Sequence, residues 1–266
     1  MSLDGKISKE LATARERAEA GKAGSMETYL RTVQRCAQRV GVDISAQVAE
    51  IKKAGYRASV PVELAIARES AEAGKAVSME LDLETAQRYA QEVGVDISAQ
   101  VAEIKEAGYR ASVPVELAIA RECTKAGKVV SMEAFLETAQ RYAQKVGVDI
   151  SAQVAEIKKA GYRASVPVEL AMAKESAEAG EAFSMELDLE VAQRYAQEVG
   201  VDISAQVAEI KEAGYRASVP VQLAIARECV KAGVMERYLG TAQRYAQEVG
   251  VDISAQVAEI RALVQK

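Results

Sequence analysis

The stretch AGYRASVP fills residues 54–61 and returns unchanged at 107–114, 160–167 and 213–220. Its glycine and proline stand six residues apart, and elementary rules read them as an end and a beginning. Glycine adopts left-handed backbone angles at low cost and closes helices. Proline fits the first turn of a helix, where its missing N–H has no partner to lose. Gly55 is therefore expected as the residue just past one helix, with Tyr56 folding back on Ile51 and Pro61 opening the next helix. The last copy of the preceding segment carries Val264 where Gly55 aligns, at a point where no helix follows. On this reading AGYRASVP is a joint between two helices rather than a ligand site.

Working outward, GVDISAQVAEI starts at Gly41, Gly94, Gly147, Gly200 and Gly250, at spacings of 53, 53, 53 and 50. A period of that length is the signature of a repeat array, in which each copy buries its apolar face against a neighbour. Three segments per repeat have helical periodicity. The first, about 43–54, aligns Ile44, Val48 and Ile51, with Asp43 as its cap. The second, about 60–73, spreads Val62, Leu64, Ile66, Ala67 and Ala71 widely. The third, about 78–93, puts Met79, Leu83, Ala86, Ala90 and Val93 on one face, with Ser78 as its N-cap. Fourteen of the seventeen glycines fall at the three segment ends. The expected fold is all-α: an α-α superhelix, or solenoid, of five repeats of ~53 residues and about 15 helices. The repeats are placed at about 1–58, 59–111, 112–164, 165–217 and 218–266. Thr13 for Ile66, Cys36 for Tyr89 and Arg31 for Glu84 mark the first repeat as a cap.

In plan, three helices per repeat resemble the armadillo and HEAT-like α-solenoids. The resemblance is one of architecture; no family's consensus residues are present. It implies a non-catalytic scaffold that binds protein or peptide. The copies are close to identical, and blocks 106 residues apart match best. The array is thus either recently duplicated or assembled by design.

Composition bounds the chemistry. There is no His and no Trp, and the three cysteines are scattered, as expected of reduced thiols in a cytoplasmic setting. Cys123 and Cys229 occupy equivalent positions, which elsewhere hold Arg17, Ser70 and Ser176. Without His, a Cys–His pair, a phosphate-cradling glycine loop or a cation-loop pattern, neither enzymatic activity nor a cofactor is expected. No apolar run is long enough to span a membrane, and no secretory leader is apparent. Net charge is −5, with +3 concentrated in residues 1–40.

Two sets of residues are candidates for a partner. Gln87 and Gln91, one turn apart on the third helix, recur as Gln140/Gln144 and Gln193/Gln197, a ladder of amides suited to an extended peptide backbone. One variable position reads Tyr29, Asp82, Phe135, Asp188 and Tyr238 along the repeats and defines a second, alternating edge. Tyr89 sits on the opposite flank as a packing residue, and Glu63 is assigned to a solvated face. The alternative function is single-stranded nucleic-acid binding through an arginine ladder, Arg57, Arg68 and Arg88. Acidic residues one turn away, Glu72 for Arg68 and Glu84 for Arg88, point instead to pairs within helices, so nucleic acid is not the expected partner. Lys53, Glu106, Lys159 and Glu212 alternate in sign and would pair between repeats. A monomer is expected.

Overall fold

The computed structural model describes residues 3–229 and 232–263. Among them there are eleven helices and no strand. Short helices α2 (Ala23–Val40), α4 (Ala76–Val93), α6 (Val129–Lys145), α8 (Ala182–Val199) and α10 (Ala232–Glu248) alternate with long ones. The long helices are α3 (Ser45–Glu72), α5 (Ser98–Lys125), α7 (Ser151–Glu178) and α9 (Ser204–Glu228). Helix α1 (Leu3–Glu19) precedes them and α11 (Ser254–Leu263) follows.

The expectation of three helices per repeat and about 15 in all is thereby corrected. AGYRASVP does not separate two helices; it is the middle of one. Helix α3 runs 28 residues through Gly55 and Pro61, about 42 Å at 1.5 Å per residue. The plan that resembled armadillo repeats becomes a two-helix hairpin. Val264, which seemed to support a break, lies outside the described residues.

Two of the three glycine corners do turn the chain. Gly41 and Gly94 close the short helices at φ 71° and 67°, and Gly74, which ends α3's turn, has φ 65°. The next residue's N–H reaches back each time, Val95 to the Ala90 carbonyl at 2.9 Å and Lys75 to that of Ser70 at 2.9 Å, as in a Schellman cap. Asp43 is not the N-cap expected: Ile44 holds that position without a side-chain bond, and Asp43, one residue earlier, accepts the N–H of Ser45 at 2.9 Å. Ser78 does not cap: α4 begins two residues earlier, at Ala76.

What keeps α3 helical across its two breakers is tertiary contact. A Cβ at Gly55 would collide with the Met26 sulfur and stand 3.2 Å from Ala18 Cβ. Glycine is therefore present to let α3 cross the preceding hairpin closely, not to bend the chain. Gly108 has the same relation to Met79 and Ala71, Gly161 to Met132, and Gly214 to Met185 and Ala177. Four residues on, Ser59 is fully buried and its hydroxyl accepts the N–H of Ala23 at 3.2 Å, satisfying the first turn of α2. In later copies the same hydroxyl donates: Ser218 binds the carbonyls of Gly180 and Gly214 at 2.7 Å. AGYRASVP is a joint between hairpins rather than between helices.

The chain divides into two compact units. One runs to Ala118 and includes Leu136–Ile150; the other comprises Ile119–Phe135 and Ser151 onward. In the first, α1 packs on α2 and α3, and α3 on α4; in the second, α7 packs on α8 and α9, and α9 on α10 and α11. Met26, Leu30, Met79 and Leu83 in the first unit and Met132, Met185, Leu189 and Leu239 in the second are almost wholly shielded from solvent. No helix among the described residues is long and apolar enough to cross a membrane.

Candidate partner-binding faces

The short helices bury Met79, Leu83, Ala86 and Ala90 and their equivalents. Gln87 and Gln91 fall just past the edge of that stripe and are exposed, as are Gln140, Gln144, Gln193 and Gln197. Among the described residues none of these six amides makes a side-chain hydrogen bond. Gln87 and Gln91 border an open hollow of about 390 Å³ along α4, with Glu84, Thr85 and Arg88. Gln34 and Gln38 border a smaller one, about 150 Å³, against Asp43 and Ser45 at the start of α3. Each amide retains donors and an acceptor for a ligand.

The alternating edge sits differently. Tyr29, Asp82, Phe135, Asp188 and Tyr238 are all half-buried. Asp82 Oδ2 accepts from the Ser70 hydroxyl at 3.0 Å and Asp188 Oδ2 from that of Ser176 at 3.2 Å. The partner position varies in step: Ser70 and Ser176 accompany Asp, Cys123 accompanies Phe135, and Arg17 accompanies Tyr29. Where the column holds aspartate, a serine twelve residues earlier donates to it within the same hairpin. On a helical wheel Asp82 and the glutamines lie on opposite sides of the buried stripe, so the two candidate sets form two faces.

The arginines are engaged locally. Arg88, Arg141, Arg194 and Arg244 lie over the rings of Tyr89, Tyr142, Tyr195 and Tyr245 at 4.9–5.3 Å from the centroid, within cation–π range. The expected Glu84–Arg88 and Arg68–Glu72 pairs are not made. Glu106 and Glu212 pair with Arg110 and Arg216 one turn along their own helices, at 3.0 and 2.8 Å, rather than between repeats. Such exposed pairs contribute ~0–1 kcal/mol each. Glu63 is half-buried rather than solvated; burial, then the nearby Asp82 charge, raises its carboxyl above the usual value.

A tyrosine cluster was hidden from the sequence reading. Tyr56 of AGYRASVP stacks on Tyr89 with ring centroids 5.1 Å apart, and its hydroxyl donates to Glu27 Oε1 at 2.9 Å on the preceding short helix. Tyr109/Tyr142, Tyr162/Tyr195 and Tyr215/Tyr245 repeat the stack, with Glu80, Glu133 and Glu186 as acceptors. Lys145 Nζ also donates to the Tyr109 oxygen at 2.9 Å and sits 4.1 Å from its ring centroid. Tyr89 is therefore packing, in keeping with its flank.

Burial, reinforced by the bond to Glu27 and its charge, pushes the Tyr56 hydroxyl up to about 12; Tyr162 and Tyr215 are raised by burial and their glutamates. A raised tyrosine holds its proton in the folded chain where the unfolded chain, near 10, has lost it. The stabilisation is complete below about pH 10 and is lost as pH climbs toward 12. Phenolate absorbance during alkaline titration should show a late-ionising group of tyrosines, and Tyr56→Phe should flatten the loss of stability above pH ~10. Simultaneous ionisation of all ten tyrosines in the folded protein would contradict this.

No family model, curated protein or solved structure matches this chain.

Proposed function

We propose that this protein is a non-catalytic scaffold, a tandem array of helix hairpins that binds protein or peptide through the short-helix amides. The observation that carries the reading is the exposure of Gln87, Gln91, Gln140, Gln144, Gln193 and Gln197 without internal hydrogen bonds. An amide that both donates and accepts matches the backbone of an extended peptide. The half-buried edge through Asp82 and Asp188 contributes less, because its side chains are committed to their own hairpins. The arginines favour a nucleic-acid role no more than before, since four of them cover tyrosine rings.

The test is fluorescence anisotropy against a labelled peptide library and labelled single-stranded RNA, at about 50 and 200 mM salt. The expected result is salt-tolerant peptide binding that weakens at least about tenfold in Gln87→Ala/Gln91→Ala/Gln140→Ala/Gln144→Ala. Absence of any peptide binding overturns the proposal. RNA binding that collapses between the two salt concentrations replaces it with the arginine-ladder reading.

A further inference from the structure

One junction between long helices departs from the repeat. Between the C-terminal half of α7 and the N-terminal half of α9, within the second compact unit, lies a cleft of about 400 Å³. Its walls are Leu170, Ala171 and Ala177 on one side and Ile210 and Ala213 on the other. Leu170 and Ile210 are half-buried. The equivalent residues Leu64, Leu117 and Leu223 are 7% exposed or less, and Ile51, Ile104 and Ile157 are 3% exposed or less. Positions that are buried in the other copies here border an apolar opening.

The mouth is charged. At the next junction Arg227 donates to Glu259 at 3.4 Å across α9 and α11. At α7–α9 the equivalent residues are Lys174 and Glu209, both beside the cleft and without an ion pair among the described residues. Lysine lacks the planar fork with which arginine clasps a carboxylate. Glu178 stands at the same mouth, so two carboxylates face one ammonium and the rim is net negative.

We propose that this cleft is a binding site for a small amphiphilic cation: an aliphatic chain against Leu170, Ala171, Ile210 and Ala213, with an ammonium head between Glu178 and Glu209. The volume lies at the low end of small-molecule sites, ~300–1,000 Å³, and suits a single chain. Chain burial supplies the affinity, and the rim selects the sign of the head group. The site is independent of the glutamine face.

Isothermal titration of the full chain with octylammonium, octanol and octanoate, each below its micelle threshold, tests the proposal. One saturable site per chain is expected, with octylammonium bound most tightly and octanoate least. Ala213→Phe or Ala171→Phe, which fill the cleft, should each weaken octylammonium at least about tenfold. Glu178→Gln/Glu209→Gln should weaken it about threefold and leave octanol unchanged. Octanoate binding as tightly as octylammonium overturns the assignment, as does binding that survives both phenylalanine variants or the absence of saturable binding. Circular dichroism confirms that each variant folds; if a phenylalanine variant does not, the head-group order and the glutamine pair still decide.

Discussion

Replacing Pro61, Pro114, Pro167 and Pro220 together with alanine should raise the stability of this protein by about 4–8 kcal/mol. All four prolines lie inside long helices and all four are exposed, so no core packing is removed. Proline in a helix interior is ~3 kcal/mol less favourable than alanine, because it lacks an N–H and crowds the carbonyl four residues back. Its stiffening of the unfolded chain offsets ~0.4–1 kcal/mol of that. Some of the remainder is already relieved by local adjustment of the helix, which leaves about 1–2 kcal/mol per site. The new N–H at position 61 would reach the carbonyl of Arg57, and its equivalents those of Arg110, Arg163 and Arg216. Urea unfolding of the quadruple variant measures the sum. If AGYRASVP were a bend with proline in the first turn of a new helix, alanine would leave stability unchanged or lower it. A lowered midpoint would therefore refute the continuous helix.

The same stretch shows which features of this fold were visible in its residues. The corners at Gly41, Gly94 and Gly74 were legible because there the local rule and the tertiary structure agree: a helix stops, and glycine takes positive φ. Gly55 and Pro61 satisfy the same local rule, yet the helix continues, because Met26, Ala23 and Glu27 of the preceding hairpin hold Gly55, Ser59 and Tyr56. Those partners lie about thirty residues away in sequence, where periodicity does not reach. A sign was present in the spacing: Ile51, Gly55 and Ser59, then Val60, Leu64, Ala67 and Ala71, all bury at intervals of three and four across the supposed break. The exposure of the glutamines was legible from the wheel alone, since exposure follows from angle. The Asp82 column was misleading when read by itself. Read beside the position twelve residues earlier, its two aspartates are hydrogen-bonded partners, Asp82 of Ser70 and Asp188 of Ser176.

The second large effect follows from Gly108. Gly108→Leu should cost at least about 3 kcal/mol, although leucine is ~1 kcal/mol the better helix former. The Cβ alone would overlap the Met79 sulfur and stand 3.1 Å from Ala71 Cβ, so the longer side chain must push α5 away from the preceding hairpin. Met79 is itself fully buried, and Met79→Ala should cost ~2–5 kcal/mol through the cavity it leaves. Combined, the two changes should cost less than their sum by about 1–3 kcal/mol, because leucine at 108 enters the space methionine vacates. Gly94→Ala is the contrasting case: its φ of 67° charges a backbone penalty of ~1–2 kcal/mol with no neighbour to rescue it. Denaturant unfolding of the two singles and the double gives the coupling directly. Additive costs would mean that Gly108 and Met79 do not meet, and the glycine of AGYRASVP would again have to be read as a bend.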